Sequence, residues 1–300
     1  MTQRQESSPP ETIADIKLPG QTRLAGPLRA ALVLGGFLAM TLPCMPLQWL
    51  LLRIAPGGAR TFPHWYHKRV CRLLGIRLHI DGEVAAGRSV LLVSNHVSWL
   101  DIPVLSAVAP LSFIAKSEVS RWPFVSSLAR LQRTVFVDRG RRRDVGRVTD
   151  EMKARLANGD TLVLFAEGTS TDGTRVLPFK TALMAPVIAG RSGRSAEEAE
   201  EPDDRNGHSA VVQPLSVVYT HLHGIPIGRA ERSLIGWYGD MEMAGHGWGV
   251  LKAGPIDVRI TIGEPVALES FADRKALAQH TESRVRDGVV RSLRGGAVAT

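Results

Sequence analysis

Two cysteines, Cys44 and Cys71, occur in 300 residues, far apart and without the paired spacing of a zinc site or a disulfide framework. Neither is therefore expected, no metal is assigned, and a reduced compartment is the natural setting. No Gly-x-Ser-x-Gly elbow occurs, so the sequence offers no signature of a serine nucleophile on a strand-to-helix turn. Phosphate-loop and dinucleotide fingerprints are also missing, which leaves nucleotide chemistry without a basis. No internal repeat is present. Aromatic residues make up 6% of the chain and do not interleave with its arginines as a stacking platform for nucleic acid would require. The formal net charge of +8 therefore points to another acidic partner.

Charge itself is missing from residues 30–52. About twenty apolar residues can cross a bilayer, so this stretch is long enough to do so. Pro43 and Pro46 lie in its second half, where each removes a backbone donor and is expected to kink or end the helix. A kinked span and a hairpin held in one leaflet both fit. Residues 1–29 read as a tail rich in turn formers, and its Glu11 and Asp15 argue against a signal peptide. Arg53, Arg60, Lys68, Arg69 and Arg72 follow the apolar stretch, where anionic headgroups would attract them. The segment 30–55 is thus expected to be embedded in a membrane, with residues 56–300 forming the globular part. Within that part, residues 190–209 hold an acidic stretch with almost no large apolar residue and read as a solvated insertion.

The most informative pattern is Asn95-His96-Val97-Ser98-Trp99-Leu100-Asp101, directly after the apolar run Val90-Leu91-Leu92-Val93. Five residues correspond to about 500° of helix, so His96 and Asp101 meet only if the chain turns between them. A buried strand ending at Ser94-Asn95, with a helix from about Trp99, provides that turn. Asp101 could then fix the tautomer of His96 and raise its basicity. Two further β-prone runs end in polar residues, Val135-Phe136-Val137-Asp138-Arg139 and 162–165 followed by Ala166-Glu167-Gly168-Thr169. In α/β sheets ligands gather beyond the carboxyl ends of strands, and these runs deliver their polar groups there.

With these residues the chain resembles the glycerolipid acyltransferase family, over roughly residues 75–230. Residues 95–101 match the family's first block throughout, and Phe136-Val137-Asp138-Arg139 match its second. Phe165, Glu167, Gly168 and Thr169 match the third, with Ala166 where proline is usual. Gln213-Pro214-Leu215-Ser216 is the candidate for the fourth, and Lys116 leads into a further similar run, Trp122-Pro123-Phe124. Two departures stand out. Arg133 occupies a place usually held by glycine, and Thr169 is followed by Ser170-Thr171-Asp172-Gly173-Thr174 before the basic Arg175. Both are expected to touch the acceptor-phosphate site.

The resemblance implies an α/β fold, a mixed sheet flanked by helices with an N-terminal membrane-embedded helical segment. It also implies an enzyme of the 1-acylglycerol-3-phosphate acyltransferase type, with no cofactor and with acyl-CoA or acyl carrier protein as co-substrate. His96 is then the base and Asp101 its orienter, so that the acceptor hydroxyl attacks the thioester directly. Arg139 and the turn Glu167-Gly168-Thr169 are assigned to the acceptor headgroup, with Glu167 as a brace rather than a phosphate contact. Asn95, Ser98, Lys116, Arg175 and Pro214 are supporting positions. The leading expectation is transfer to 1-acylglycerol 3-phosphate at the cytoplasmic face of the inner membrane. The run 165–173 and Trp237-Tyr238-Gly239-Asp240 also resemble the subgroup acting on lyso-ornithine lipid, a close variant. A non-catalytic lipid-binding protein and a thioester hydrolase are the readings from other classes. The intact His96 and Asp101 argue against the first, because binding alone needs no base.

Overall fold

A computed structural model describes residues 25–137, 144–189 and 210–295. Its first elements are α1 (Ala25–Ile54) and α2 (Pro56–Leu74), which meet at Ala55. α1 begins five residues before the expected start at residue 30. On α1 the buried residues Gly26, Ala30, Val33, Thr41 and Gln48 form one face, whereas Leu28, Leu32, Leu42, Trp49 and Ile54 are exposed.

The kink or stop expected at Pro43 and Pro46 does not occur: one helix runs through both. Each proline removes one i→i−4 bond, from the carbonyls of Ala39 and Leu42. Side-chain pins to neighbouring elements hold the surrounding turns. Thr41 Oγ1 donates to Phe37 O and lies 2.7 Å from the Tyr66 hydroxyl, while Gln48 Nε2 donates to Ala59 O and Leu131 O, each at 2.9 Å.

The remaining chain alternates strands and helices. In order they are β1 (Ile76–Asp81), β2 (Val90–Ser94), α3 (Asp101–Ser106), β3 (Ser112–Lys116), α4 (Val125–Leu131), β4 (Val135–Val137), α5 (Asp144–Ala157), β5 (Thr161–Phe165) and α6 (Thr181–Ala189). Then follow β6 (Val211–Leu222), β7 (Ile225–Pro226), α7 (Arg232–Ile235), α8 (Met243–Ala253), β8 (Ile256–Ile262), β9 (Val266–Ala267) and α9 (Arg274–Leu293). The main sheet order is β1-β8-β6-β2-β5-β3-β4. β6, β2, β5, β3 and β4 run parallel, and β8 is antiparallel to β6 while carrying β1 parallel at the edge. This is the expected mixed sheet.

β2 is buried along its whole length, which explains its unbroken apolar run. Val90 and Leu92 face a core with Val33, Val70, Val104 and Val250, from α1, α2, α3 and α8. Leu91 and Val93 face the other core, with Met152 of α5, Met184 of α6 and Val285 of α9. Asp273 caps α9 by accepting from the backbone N–H groups of Lys275 and Ala276, each at 2.8 Å. Val211–Leu222 form one strand, β6, that includes Pro214. α6 continues through Pro186. The acidic insertion at 190–209 and the tail up to residue 24 lie outside the described residues.

The backbone explains what is unusual about Arg133. Its φ is 61°, the left-handed region that favours glycine, which accounts for the glycine the family resemblance places there. Its guanidinium makes its described hydrogen bonds to Asp160. It sits before β4, where its guanidinium pairs with Asp160 at 2.8 Å, and Asp160 precedes β5. Arg155 also bonds Asp160 and donates to Arg133 O at 2.8 Å, and Arg60 adds a contact to Asp160 at 3.2 Å. This cluster lies at the amino ends of the parallel strands, opposite the edge at which β2 delivers His96. The ion pairs hold a side-chain-bearing residue in a conformation it would otherwise disfavour.

Candidate active site

His96 leaves the carboxyl end of β2, and Asp101 opens α3. The turn between them brings His96 Nδ1 to 2.7 Å from Asp101 Oδ2. The same oxygen accepts from the backbone N–H of Val97 at 2.7 Å and of Ser98 at 3.1 Å. Its partner Oδ1 accepts from the Tyr219 hydroxyl at 2.7 Å. Asp101 is 0% exposed, so an uncompensated charge there would be costly. Every group around it is a donor, hence Nδ1 of His96 carries a proton and Nε2 is left as the basic nitrogen. Burial, together with the charge and hydrogen bond of Asp101, pushes the Tyr219 hydroxyl well above its ordinary pKa and keeps it a donor.

The imidazole lies face to face on Phe165, with centroids 4.0 Å apart, and Phe165 stacks in turn on Phe113 at 6.0 Å. The β2/β5 register pairs Ser94 with Phe165, which places the loops carrying His96 and Glu167 side by side. Glu167 is buried and spends both oxygens on this junction. Oε1 accepts from His96 N at 3.0 Å and Oε2 from Leu177 N at 2.9 Å. Burial pushes its carboxyl up to about 7 against those two hydrogen bonds. Thr171 N donates to His96 O at 3.0 Å and closes the junction from the β5 side.

The other expected site residues fall into distinct places. Asn95 extends the β2/β6 ladder with its side chain: Nδ2 donates to Val217 O and Oδ1 accepts from Val217 N, both at 2.9 Å. Ser98 is buried, and its hydroxyl finds no partner among the described residues. Gly168 takes φ 70° in the turn after β5, where its N–H donates to Phe165 O, and Thr169 stands exposed at the tip. Lys116, at the end of β3, and Arg175 are exposed. Pro214 lies opposite Val93, remote from solvent, with its carbonyl accepting from Gly263 N. Asp138 and Arg139 lie outside the described residues, just past the end of β4.

Sequence reasoning missed Tyr219 as the second partner of Asp101. A tyrosine ending the apolar run of β6 was a usable signal, since a buried hydroxyl needs a partner. It also missed Arg232 of α7, half-buried beside the β5 loop. The 235–240 stretch now has a structural role: Trp237 N donates to Val97 O at 2.9 Å and the Ser170 hydroxyl donates to Trp237 O.

Behind the Phe165–Phe113 stack lies a cavity of about 540 Å³, walled by α1, α2, α4 and α8. Phe37, Cys44, Phe62, Val70, Trp99 and Ala129 are among its overwhelmingly apolar lining. Its volume falls in the range of small-molecule sites. Its lining includes Gln132, which donates to Ser106 Oγ at the close of α3, about 8 Å of helix away from Asp101.

An oriented imidazole at a sheet edge, backed by a deep apolar cavity, fits an enzyme that uses a histidine base on a lipid substrate. The comparisons give the family. The family model described as Acyltransferase matches residues 75–218. A lyso-ornithine lipid O-acyltransferase of Brucella abortus is 46% identical over 263 residues, covering 88% of this chain and 94% of that protein. Its namesake from Rhizobium meliloti is 40% identical, covering 85% of this chain and 84% of that protein. A 1-acyl-sn-glycerol-3-phosphate acyltransferase of Neisseria meningitidis is 41% identical over 158 residues, 48% of this chain and 61% of that protein. The crystal structure of the 1-acyl-sn-glycerophosphate acyltransferase of Thermotoga maritima shares the fold, with a TM-score of 0.62 at 21% identity over 89% of this chain and 95% of that one. The chain belongs to the acyltransferase family. It is an acyltransferase acting on lysolipids, and its apolar α1 accords with membrane association.

Proposed function

We propose that this enzyme moves a fatty acyl group from acyl-CoA or acyl carrier protein to the free hydroxyl of lyso-ornithine lipid. The acceptor is carried by the two lyso-ornithine lipid relatives, which match nearly the whole chain, whereas the Neisseria meningitidis glycerophosphate relative matches about half of it. The reading thus moves from the leading expectation, 1-acylglycerol 3-phosphate, to its variant.

The chemistry rests on the all-donor surroundings of Asp101. His96 Nε2 takes the acceptor's hydroxyl proton as the oxygen attacks the thioester carbonyl. The tetrahedral intermediate collapses with cleavage of the C–S bond, and the departing thiolate takes the proton back from His96. Asp101 stabilises the transient imidazolium and holds the ring's tautomer. No acyl-enzyme is needed. The acyl chain of one substrate is assigned to the cavity, with its carbonyl end directed toward His96. Arg139 and the exposed tip at Thr169 are assigned to the acceptor headgroup, and Glu167 to bracing the loop. The exposed face of α1 lies in the cytoplasmic leaflet of the inner membrane, next to the basic residues of α2.

The test offers a thioester donor to membranes carrying the wild-type chain or His96→Ala, with lyso-ornithine lipid and lysophosphatidic acid in parallel. Transfer to lyso-ornithine lipid that falls below a few per cent in His96→Ala supports the proposal. Transfer to lysophosphatidic acid alone would return the acceptor to the phosphate class. Activity retained by His96→Ala would refute its role as base.

A further inference from the structure

Near the His96 loop, Asp172 and Arg232 lie close enough for each charge to influence the other. A Cβ built on Gly173 would lie 3.1 Å from Val97 and 3.8 Å from Arg232 Nη1, so the guanidinium and the loop that carries the base both adjoin the β5 loop at this glycine. A Cβ on Gly236 would lie 3.2 Å from Asp172 Cα, which packs the start of the 236–240 loop, just past α7, onto the β5 loop. Asp172 uses Oδ1 for the backbone N–H and hydroxyl of Thr174, at 2.9 and 2.7 Å, and Oδ2 has no hydrogen bond among the described residues. Arg232 makes no ion pair within 4.0 Å among the described residues, although it is half-buried. Burial lowers its pKa and the charge of Asp172 opposes that change. Asp172 is held below the ordinary carboxylate range: burial works against this, and Thr174, Arg175 and Arg232 outweigh it. Both groups are charged at neutral pH, near each other, and have hydrogen-bonding capacity left.

We propose that Arg232 and Asp172 form a clamp for a zwitterionic amino-acid headgroup, Arg232 taking its carboxylate and Asp172 Oδ2 its ammonium. This deepens the reading of lyso-ornithine lipid as acceptor and rests on it. Ornithine acylated on one amine keeps a carboxylate and a second amine, the two charges this pair complements. A phosphate monoester would meet Arg232 favourably but be repelled by Asp172. The pair therefore selects the amino-acid headgroup over phosphate as well as binding it. Placed beside Val97, it would hold the headgroup while the acceptor's hydroxyl reaches His96.

The test uses the full chain in membranes and three acceptors: lyso-ornithine lipid, its carboxyl methyl ester and its N-acetyl derivative. The ratio of kcat/KM for the free acid to that for the methyl ester is expected to be about tenfold or more in the wild type, the worth of one charge-assisted hydrogen bond. It should fall to about one in Arg232→Met and recover in part in Arg232→Lys. Asp172→Asn should likewise collapse the discrimination against the N-acetyl derivative while preserving that against the methyl ester. Ratios that stay at their wild-type values in these variants would overturn the clamp, because a merely structural residue lowers activity on all three acceptors together. Wild-type transfer that ignores both derivatisations would overturn the clamp alone. No wild-type transfer to lyso-ornithine lipid would overturn the proposed function along with it.

Discussion

Replacing Asp101 with asparagine separates charge from orientation at this site. In the Ser-His-Asp triad of serine proteases the same exchange costs about 10⁴ in rate because the imidazole adopts the wrong tautomer. Here Val97 N and Ser98 N both point at Oδ2, at 2.7 and 3.1 Å, and they would hold the amide oxygen of an asparagine in that place. Its NH2 would then face the Tyr219 hydroxyl, which can rotate to accept. His96 Nδ1 would keep an acceptor and Nε2 would stay basic. What is lost is the charge opposite the imidazolium that forms during transfer. With an effective dielectric of about 20 and charge centres about 4 Å apart, that loss is at most about 4 kcal/mol. Screening by the remaining donors brings it to about 2–4 kcal/mol, or roughly a 30- to 1000-fold fall in kcat. The assay is acyl transfer at saturating acceptor, with His96→Ala setting the floor. A fall to the His96→Ala floor would show that the tautomer flips and refute the argument from the backbone donors. A fall of less than about threefold would show that the carboxylate's charge is irrelevant to the base.

Ala129 lines the cavity, and Ala129→Phe should shift donor preference toward shorter acyl chains, measured with a thioester series; an unchanged preference would mean that the chain lies elsewhere. Exchanging the exposed Leu28, Leu32 and Leu42 for glutamate should remove about 1.5–3 kcal/mol of apolar transfer per site and release protein from vesicles on flotation. Persistent flotation would place the membrane contact on another surface. Asp160 balances Arg60, Arg133 and Arg155, so Asp160→Ala should destabilise the fold by about 3 kcal/mol in urea titrations. Burial disfavours its ionised form, but the hydrogen bonds and charges of Arg155 and Arg133 hold its carboxyl below the ordinary value. That contribution is present above about pH 4 and lost as the pH falls through the depressed pKa, so acid sensitivity should shrink in the variant.

The parts of this fold legible in the sequence were those governed by local pattern. The apolar runs of β2 and β5 and the acid five residues after His96 were read from a few neighbouring residues and hold in three dimensions. The helix through Pro43 and Pro46 was not legible, because local chemistry predicts a break and the pins that maintain it come from partners such as Tyr66 and Leu131, 25 and 83 residues away. Tyr219 and Arg232 escaped for the same reason. Their roles depend on β6 lying beside β2 and on α7 packing against the β5 loop, arrangements that no spacing along the chain announces. Arg133 was visible as a departure from the family pattern, but its meaning, a positive φ tied down by Asp160, required the backbone.

α1 has exposed leucines on one side and, on the other, Phe37, Thr41, Cys44 and Gln48 walling the cavity. On the proposed reading, the membrane contact and the container for a substrate's tail are two faces of one helix. Trimming α1 away to obtain a soluble catalytic fragment would open the cavity to water along its length. An acyl chain would then have no dry place to lie beside His96, so solubility gained by that route should come at the cost of turnover.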